Sequence, residues 1–184
     1  MTKTPVTTTA EEAVTRIESG MSVVFPHLSA EPCALTSALW NRAEGLKDLT
    51  VTSGMLLSGY KFLQMPCAEN IHFKTWFLPG TLLRKTAADV KADYLPLTWS
   101  QTARYLLETP FDVGLIQVSP PDEDGYYSMG LNCTVVKGIV HSAKVLIAQV
   151  NPEMPRTLGD SRIHGSEIDV LVEQAEPLAE YPNR

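Results

Sequence analysis

The chain has 184 residues, of which 44% are hydrophobic and 20% are charged, a composition that suits one globular domain with its own core. Its net charge of -6 comes from 21 acidic and 15 basic residues without a basic cluster, which argues against nucleic acid as a partner. The apolar runs are too short to span a bilayer. The three cysteines show no paired spacing and the N-terminus does not resemble a secretory leader, so the sequence predicts a reducing, cytoplasmic setting.

The N-terminal segment is polar and leads into the first predicted helix. Residues 1–10 form a Thr-rich leader. Thr8 and Glu11 have the spacing of a capping box, so residues 11–19 are predicted as a helix. Residues 21–25 are apolar and predict the first buried strand.

The next part of the chain repeats this alternation. Ser29 is predicted to cap a helix over residues 29–43, in which apolar side chains recur at helical spacing. Residues 49–52 predict a short β-branched strand, and residues 71–78 predict another. Between these strands, the glycines and proline of residues 54–70 indicate an irregular excursion.

A strong helix signal follows a less distinct region. Residues 81–90 are predicted as a helix, and residues 94–97 as a short extended segment. Thr98 and Gln101 then form a T-x-x-Q capping box, and Pro110 ends the helix. The predicted apolar stripe of this helix consists of Trp99, Ala103, Leu106 and Leu107.

Two apolar strands in the second half each end in a loop rich in proline, glycine and small polar residues. The strands are residues 111–118 and 144–150, the loops are residues 120–132 and 151–160, and residues 135–142 predict a helix. This alternation predicts one α/β domain over residues 11–184, with a mainly parallel central sheet flanked by helices. Ligands of such sheets bind outside the carboxyl ends of the strands, so both loops are predicted to line a crevice.

Three stretches of the chain carry a family resemblance. Residues 120–130 read PPDEDGYYSMG, residues 143–155 read AKVLIAQVNPEMP, and residues 168–173 read IDVLVE. Together they resemble the N-terminal half of the acetyl-CoA hydrolase/CoA-transferase family, in particular its 4-hydroxybutyrate CoA-transferase-like members. The resemblance extends from about residue 17 to the end, and it implies a CoA-transferase-like domain fold.

The resemblance implies acyl-CoA chemistry, with coenzyme A bound as acyl-CoA and a short carboxylate as second substrate. Family members move coenzyme A between carboxylates or to water. A glutamate attacks the thioester, giving an acyl anhydride and then an enzyme–CoA thioester. That glutamate belongs to the family's C-terminal half, in a Gly-x-His-[Ser/Thr]-Glu sequence. The motif is absent here, because His141 and Ser142 precede Ala143 and because His164 lies at the wrong spacing from Glu167.

Three functions are compatible with these features. The first is an N-terminal half or subunit of a CoA-transferase or acetyl-CoA hydrolase, inactive without a C-terminal-half domain or subunit that provides the glutamate. The second is a stand-alone, non-catalytic domain of the same fold that binds coenzyme A or a carboxylate. The third, which is weaker, is a complete small hydrolase that uses Cys133 or Ser128 as nucleophile. An uncovered interdomain face would also favour a homo-oligomer.

The candidate binding residues follow predicted strands. They are His27, Gly125, Ser128, Gly130, Asn132, Asn151, Met154 and Pro155. Ser128 and Asn132 offer hydrogen-bond donors for a carboxylate or thioester oxygen, and Met154 offers an adaptable apolar wall for an acyl group. Each residue also has a structural alternative, because glycine, serine and asparagine stabilise turns and methionine fills cores.

Other polar groups receive simpler interpretations. Arg84 and Lys85 are candidates for contact with phosphates of coenzyme A, but solvated helix charges are the more common case. The acidic residues 122–124 indicate a solvated turn. The histidines lack metal-ligand spacing and there is no cysteine cluster, so no metal is expected.

Overall fold

The protein is built on one parallel sheet of eight strands. The computed structural model describes residues 4–65, 69–77 and 92–181. In chain order the strands are β1 (Val6–Thr7), β2 (Ser22–Val24), β3 (Leu49–Ser53), β4 (Ile71–Thr75), β5 (Ala92–Tyr94), β6 (Phe111–Val118), β7 (Tyr126–Ser128), β8 (Ala143–Val150), β9 (Arg162–His164) and β10 (Val170–Glu173). Strands β7 and β9 form a separate antiparallel ribbon. The predicted α/β class with a mainly parallel sheet is confirmed.

Helices cover both faces of the sheet. They are α1 (Ala10–Ala13), α2 (Cys33–Ala43), α3 (Trp99–Glu108) and α4 (Cys133–Ser142). Leu35 and Leu39 of α2 are buried in one core with Val23 and Val113 of the sheet. The core on the opposite face of the sheet contains Leu106 of α3, buried side chains of α4, and strand residues that alternate along the chain with those of the first core. Because both faces are covered, the central strands are apolar on both sides, as their sequences predict.

The strand order reverses direction next to β2. The order across the sheet is β1-β10-β8-β6-β2-β3-β4-β5. From β2 the chain proceeds to β3, β4 and β5 on one side, and from β6 it proceeds to β8 and β10 on the other. The switch point therefore lies between β2 and β6, and open α/β sheets usually bind their ligands at the carboxyl ends of such a pair.

The N-terminal segment joins the sheet, although the sequence predicts a polar leader there. Val6 and Thr7 pair in parallel with Val170 and Leu171, so β1 is an edge strand of the domain. The following helix is also shorter than the predicted span of residues 11–19, because α1 passes into a short helical turn, Val14–Arg16. Its cap is Thr9, which accepts from the Glu12 backbone N–H, and not Thr8.

The start of α2 is a second correction. Ser29 lies in a separate short turn, Leu28–Ala30, and the helix begins at Cys33 after Pro32. Glu31 precedes that proline and has an extended backbone, with φ -60° and ψ 125°. Since the proline ring disfavours helical backbone at the preceding residue, a helix from Ser29 cannot continue through this position.

Two features of α3 were predicted with different success. The capping box of Thr98 and Gln101 is present as predicted. The predicted apolar stripe is wrong in part, because Trp99 and Leu107 are 52% and 46% exposed while Leu106 is buried.

Short strands were missed: residues 120–132 were predicted as a loop, yet they contain β7, and β9 and β10 follow further along the chain. Pairing partners distant in sequence create these strands.

Some predictions fall on positions that the structure does not describe. These are the helix over residues 81–90 with Arg84 and Lys85, and the end of the strand predicted to reach residue 78. Among the described residues, no helix is long and apolar enough to cross a membrane.

Candidate functional site

His27 follows β2 at the switch point of the sheet. It is 5% exposed, and its Nδ1 accepts a hydrogen bond of 3.1 Å from the indole Nε1 of Trp76, which follows β4. Trp99, at the start of α3, stacks on the imidazole with ring centroids 5.5 Å apart. A side chain at Gly54 would overlap both His27 Nδ1 and Trp76 Nε1, so the loop after β3 requires glycine there.

These contacts fix the protonation of His27. An indole N–H can only donate, so Nδ1 must be the unprotonated acceptor and Nε2 must carry the proton. Burial lowers the pKa of His27 to about 4, which keeps the ring neutral at pH 7. Within the described part of the chain, no group hydrogen-bonds to Nε2. His27 is therefore a rigid, neutral donor at the switch point of the sheet.

The loop after β2 packs against the loop after β6. Leu28 has a φ of +57°, a left-handed conformation that is strained for leucine. The turn it opens, Leu28–Ala30, contacts the turn Gly130–Asn132. Two loops that are distant in sequence thus meet beside His27, and both were predicted to carry binding residues.

Asn132 lies in this contact region. It is half-buried at the N-terminal end of α4, and its side chain does not cap the helix. None of the described residues hydrogen-bonds to its amide. Asn132 consequently has hydrogen-bonding capacity to offer a ligand.

Ser128, Gly130 and Met154 are brought together, but mainly by contacts with one another. The Ser128 hydroxyl accepts from the backbone N–H groups of Gly130 and Thr157, at 3.2 and 3.1 Å. Gly130 has a φ of +58°, and a Cβ there would overlap the Met154 sulfur. These contacts join the two predicted loops, which favours a positioning role for the three residues.

Asn151 is also used internally. Its amide donates to Gln117 Oε1 at 2.6 Å and to the Glu176 carbonyl at 2.8 Å, while its oxygen accepts from the backbone N–H groups of Glu153 and Glu176. Since all its donors and both its lone pairs have partners, Asn151 anchors the segment after β10. The structure favours this role over direct ligand contact.

Glu31 is a buried carboxyl group that was not predicted from the sequence. Glu31 is 1% exposed, and its carboxylate accepts from the hydroxyls of Ser58 at 2.6 Å and Thr36 at 3.3 Å. Burial raises the pKa of Glu31, and the negative charge of Glu176 adds to the increase, whereas the bonds from Ser58 and Thr36 oppose it. Glu31 is thus a buried acid near the end of β2.

Two buried glutamines of the central strands hydrogen-bond to Glu31 and Glu176, and their positions in the sequence carried a signal. Gln117 donates to the Glu31 carbonyl at 2.8 Å, and Gln149 donates to the Glu176 carboxylate at 2.6 Å. Each is the penultimate residue of an apolar strand, and the two are register partners in β6 and β8. A buried polar residue at the same place in two apolar strands indicates a polar cluster at the carboxyl edge.

The remaining predicted residues lie outside the β2–β6 crevice contacts. Gly125 has a φ of +80° in the acidic turn, where Asp122 accepts from the Tyr126 backbone N–H and pairs with Arg156. Pro155 is exposed. Among the described residues, no group of three or more histidine, cysteine or acidic side chains is placed to hold a metal ion.

Comparison with known proteins identifies the family. The model of the acetyl-CoA hydrolase/transferase N-terminal domain matches residues 4–180. The chain belongs to the acetyl-CoA hydrolase/transferase family. Its match to that family's N-terminal domain starts earlier than the resemblance in the sequence indicated, and it includes the edge strand β1.

Relatives of this acetyl-CoA hydrolase/transferase domain are longer proteins. The 4-hydroxybutyrate coenzyme A transferase of Clostridium kluyveri is 37% identical over 174 residues, which are 94% of this chain and 40% of that protein. The crystal structure of RipA from Yersinia pestis matches 97% of this chain with a TM-score of 0.86 and 32% identity, and 44% of RipA is covered. A 4-hydroxybutyrate CoA-transferase from Porphyromonas gingivalis gives a TM-score of 0.69 and 26% identity, with 96% and 41% covered.

Neither Ser128 nor Cys133, the two nucleophiles of the small-hydrolase hypothesis, has an adjacent base in the described part of this family domain. Ser128 and Cys133 hydrogen-bond to Thr157 and to backbone groups, and to no described imidazole or carboxylate. Burial raises the pKa of the Cys33 thiol to about 12, so that thiol stays protonated. The geometry gives the small-hydrolase hypothesis no support.

Proposed function

We propose that this chain forms one half of the active site of a CoA-transferase or acyl-CoA hydrolase, which a C-terminal half completes. The observation that carries the proposal is the arrangement at the carboxyl ends of β2 and β6, where the strand order reverses. It presents the hydrogen-bond donors His27 and Asn132, and neither Ser128 nor Cys133 has an adjacent base among the described residues. The chain also spans only 40% of the transferase from Clostridium kluyveri, so most of that protein has no counterpart here.

The two halves divide the chemistry in this proposal. The C-terminal half provides a glutamate that attacks the thioester carbonyl carbon, which expels the coenzyme A thiolate and leaves an acyl anhydride. The thiolate then attacks the glutamyl carbonyl, releases the carboxylate and forms a glutamyl–CoA thioester. A second carboxylate reverses these steps in a transferase, whereas water cleaves the intermediate in a hydrolase. This chain binds and orients the acyl group.

Exposed apolar side chains near the crevice support a covering domain. Leu131 is 50% exposed in the turn beside the crevice, and Leu158 is 99% exposed in the loop after β8. The Thr157 hydroxyl donates to the Gly130 carbonyl at 3.3 Å. Leu158 follows Thr157 and Leu131 follows Gly130, so each leucine is adjacent in sequence to one partner of this contact. Apolar side chains grouped on loops at a ligand-binding edge are typical of a surface that another domain covers.

A non-catalytic binding domain is the second candidate. The same observation favours it, since two donors without partners among the described residues can bind a carboxylate in the absence of a nucleophile. We place either protein in the cytoplasm, because Cys33 and Cys133 are free thiols.

A chimera separates the two candidates. This chain would replace the matching N-terminal 40% of the Clostridium kluyveri transferase, and CoA transfer from acetyl-CoA to butyrate would be measured. We expect the chimera to be active and this chain alone to be inactive. A folded but inactive chimera, combined with acetyl-CoA binding by this chain alone, would overturn the half-site proposal in favour of the binding domain.

A further inference from the structure

We propose that His27 Nε2–H and the Asn132 amide together bind one acyl oxygen, either of a free carboxylate or of a thioester carbonyl. This inference rests on the proposed function and names the residues of this chain that recognise the substrate. Both groups are donors without a partner among the described residues, and the turns that carry their neighbours pack against each other.

The His27 donor is held in place from several sides. The Trp76 indole N–H occupies Nδ1, the Trp99 ring covers one face of the imidazole, and Gly54 leaves room for the ring. The ring can therefore neither flip nor change tautomer without losing the Trp76 bond. A donor fixed before the ligand arrives loses little entropy on binding.

Asn132 supplies the second donor from the opposite loop. Its position at the end of the turn Gly130–Asn132 is set by the contact between Ser128 and Gly130 and by the close approach of Gly130 to Met154. Asparagine is a favoured helix-capping residue, yet its side chain leaves the α4 backbone uncapped. An amide with no hydrogen-bond partner in the part of the chain that the structure describes, on a turn whose shape is fixed by other contacts, is a candidate for ligand contact.

Neutral donors suit the reaction of such an oxygen. Hydrogen bonds to a thioester oxygen strengthen as negative charge develops on it, so fixed donors stabilise the tetrahedral transition state. A cationic group at the same place would form an ion pair with a carboxylate substrate and hold it in the ground state. His27 donates here without transferring a proton, and Trp76 is a positioning residue that acts through His27.

Nitrogen NMR on this 184-residue chain tests both parts of the proposal. In a long-range ¹H–¹⁵N spectrum at pH 7, His27 is expected as the neutral tautomer with the proton on Nε2. Addition of butyrate, and in a separate arm acetyl-CoA, is expected to shift this signal. Equal ionic strength of sodium chloride is the control, and the spectra of His72, His141 and His164 serve as internal references.

Variants identify the contribution of each group. Asn132→Ala and His27→Phe are expected to weaken butyrate binding at least about tenfold, the size of a lost hydrogen bond to a charged group. His27→Gln, which keeps a donor near the Nε2 position, should stay within about threefold. Trp76→Phe should admit the other tautomer of His27. Asn41→Ala, at an exposed position on α2, is the control and should change nothing.

The results distinguish this inference from the proposed function. If the chimera transfers CoA but Asn132→Ala and His27→Phe leave its KM for butyrate and its kcat unchanged, the inference is wrong and the half-site proposal stands. If the chimera is inactive while butyrate still shifts the His27 signal, the binding site is supported and the half-site proposal fails. A charged His27 at pH 7, or a proton on Nδ1, would overturn the inference directly.

Discussion

At the residue scale, His27 makes the stability of the protein depend on pH. Its pKa is lowered from 6.5 to about 4 by burial, so the unfolded chain takes up a proton at a pH where the folded chain does not. The contribution of the neutral His27 ring to the free energy of unfolding is fully present above pH 6.5, and it is lost progressively as the pH falls to about 4. A shift of this size corresponds to about 3 kcal/mol in the free energy of unfolding.

The first prediction concerns this pH range. His27→Gln, which does not titrate, is expected to lose less stability than the wild type between pH 6.5 and pH 4. Urea denaturation at a series of pH values measures the difference. His141→Gln, at an exposed position in the last turn of α4, is the matched control. Parallel pH profiles for the wild type and His27→Gln would contradict the neutral, buried imidazole.

Single residues also show what the sequence did not reveal about the site. His27 was found because it follows an apolar strand, but its bond to Trp76 joins residues 49 positions apart. Glu31 was missed because a glutamate before a proline resembles a surface loop residue. Gln117 and Gln149 were also not predicted, although each is the penultimate residue of an apolar strand, and their alignment is visible only in the structure.

At the element scale, local chemistry determines the start of α3. The Thr98 hydroxyl accepts from the Gln101 backbone N–H, and the Gln101 side chain accepts from the Thr98 N–H at 2.8 Å. This reciprocal cap satisfies donors that the helix itself leaves free. Its agreement with the sequence prediction reflects the short range of the interaction.

The second prediction follows from this cap. Thr98→Ala is expected to lower the free energy of unfolding by about 1 kcal/mol, because the Thr98 hydroxyl is lost as an acceptor. Chemical denaturation with circular dichroism detection measures the change. Arg104→Ala, at an exposed position on the same helix, should have little effect. An equal loss from both variants would show that the cap contributes nothing specific.

Elements that depend on distant partners were harder to predict. The long strands β6 and β8 were recognised from their continuous apolar sequences. Strand β1 has two residues, and β7 and β9 have three each, so none has a periodic pattern of its own. Their partners lie far along the chain, which places the information for these strands in the tertiary fold and not in the local sequence.

At the scale of the whole molecule, the loops at the carboxyl edge expose two leucines, Leu131 and Leu158. Leu158 is almost fully exposed, although leucine is costly to leave in water. The half-site proposal explains this exposure by contact with the C-terminal half. The binding-domain alternative gives Leu158 no function.

The third prediction tests this interface. Leu158→Lys should leave the free energy of unfolding of this chain within about 0.5 kcal/mol of the wild type, since the residue is solvated. Its affinity for the C-terminal portion of the Clostridium kluyveri transferase, measured by calorimetry, should fall at least about tenfold. Val6→Lys, on the edge strand β1, is the control. Unchanged affinity for Leu158→Lys would place the interface elsewhere.

Covalent trapping tests the half-site claim most directly. This chain, alone and fused to the C-terminal portion of the Clostridium kluyveri transferase, would be incubated with acetyl-CoA and reduced with borohydride. Intact mass and peptide mapping would follow, with a thiol-alkylation control. We predict no adduct on this chain alone, and in the fusion a modified glutamate within the C-terminal portion. An acetyl or CoA adduct on a residue of this chain would place the nucleophile here and contradict the account.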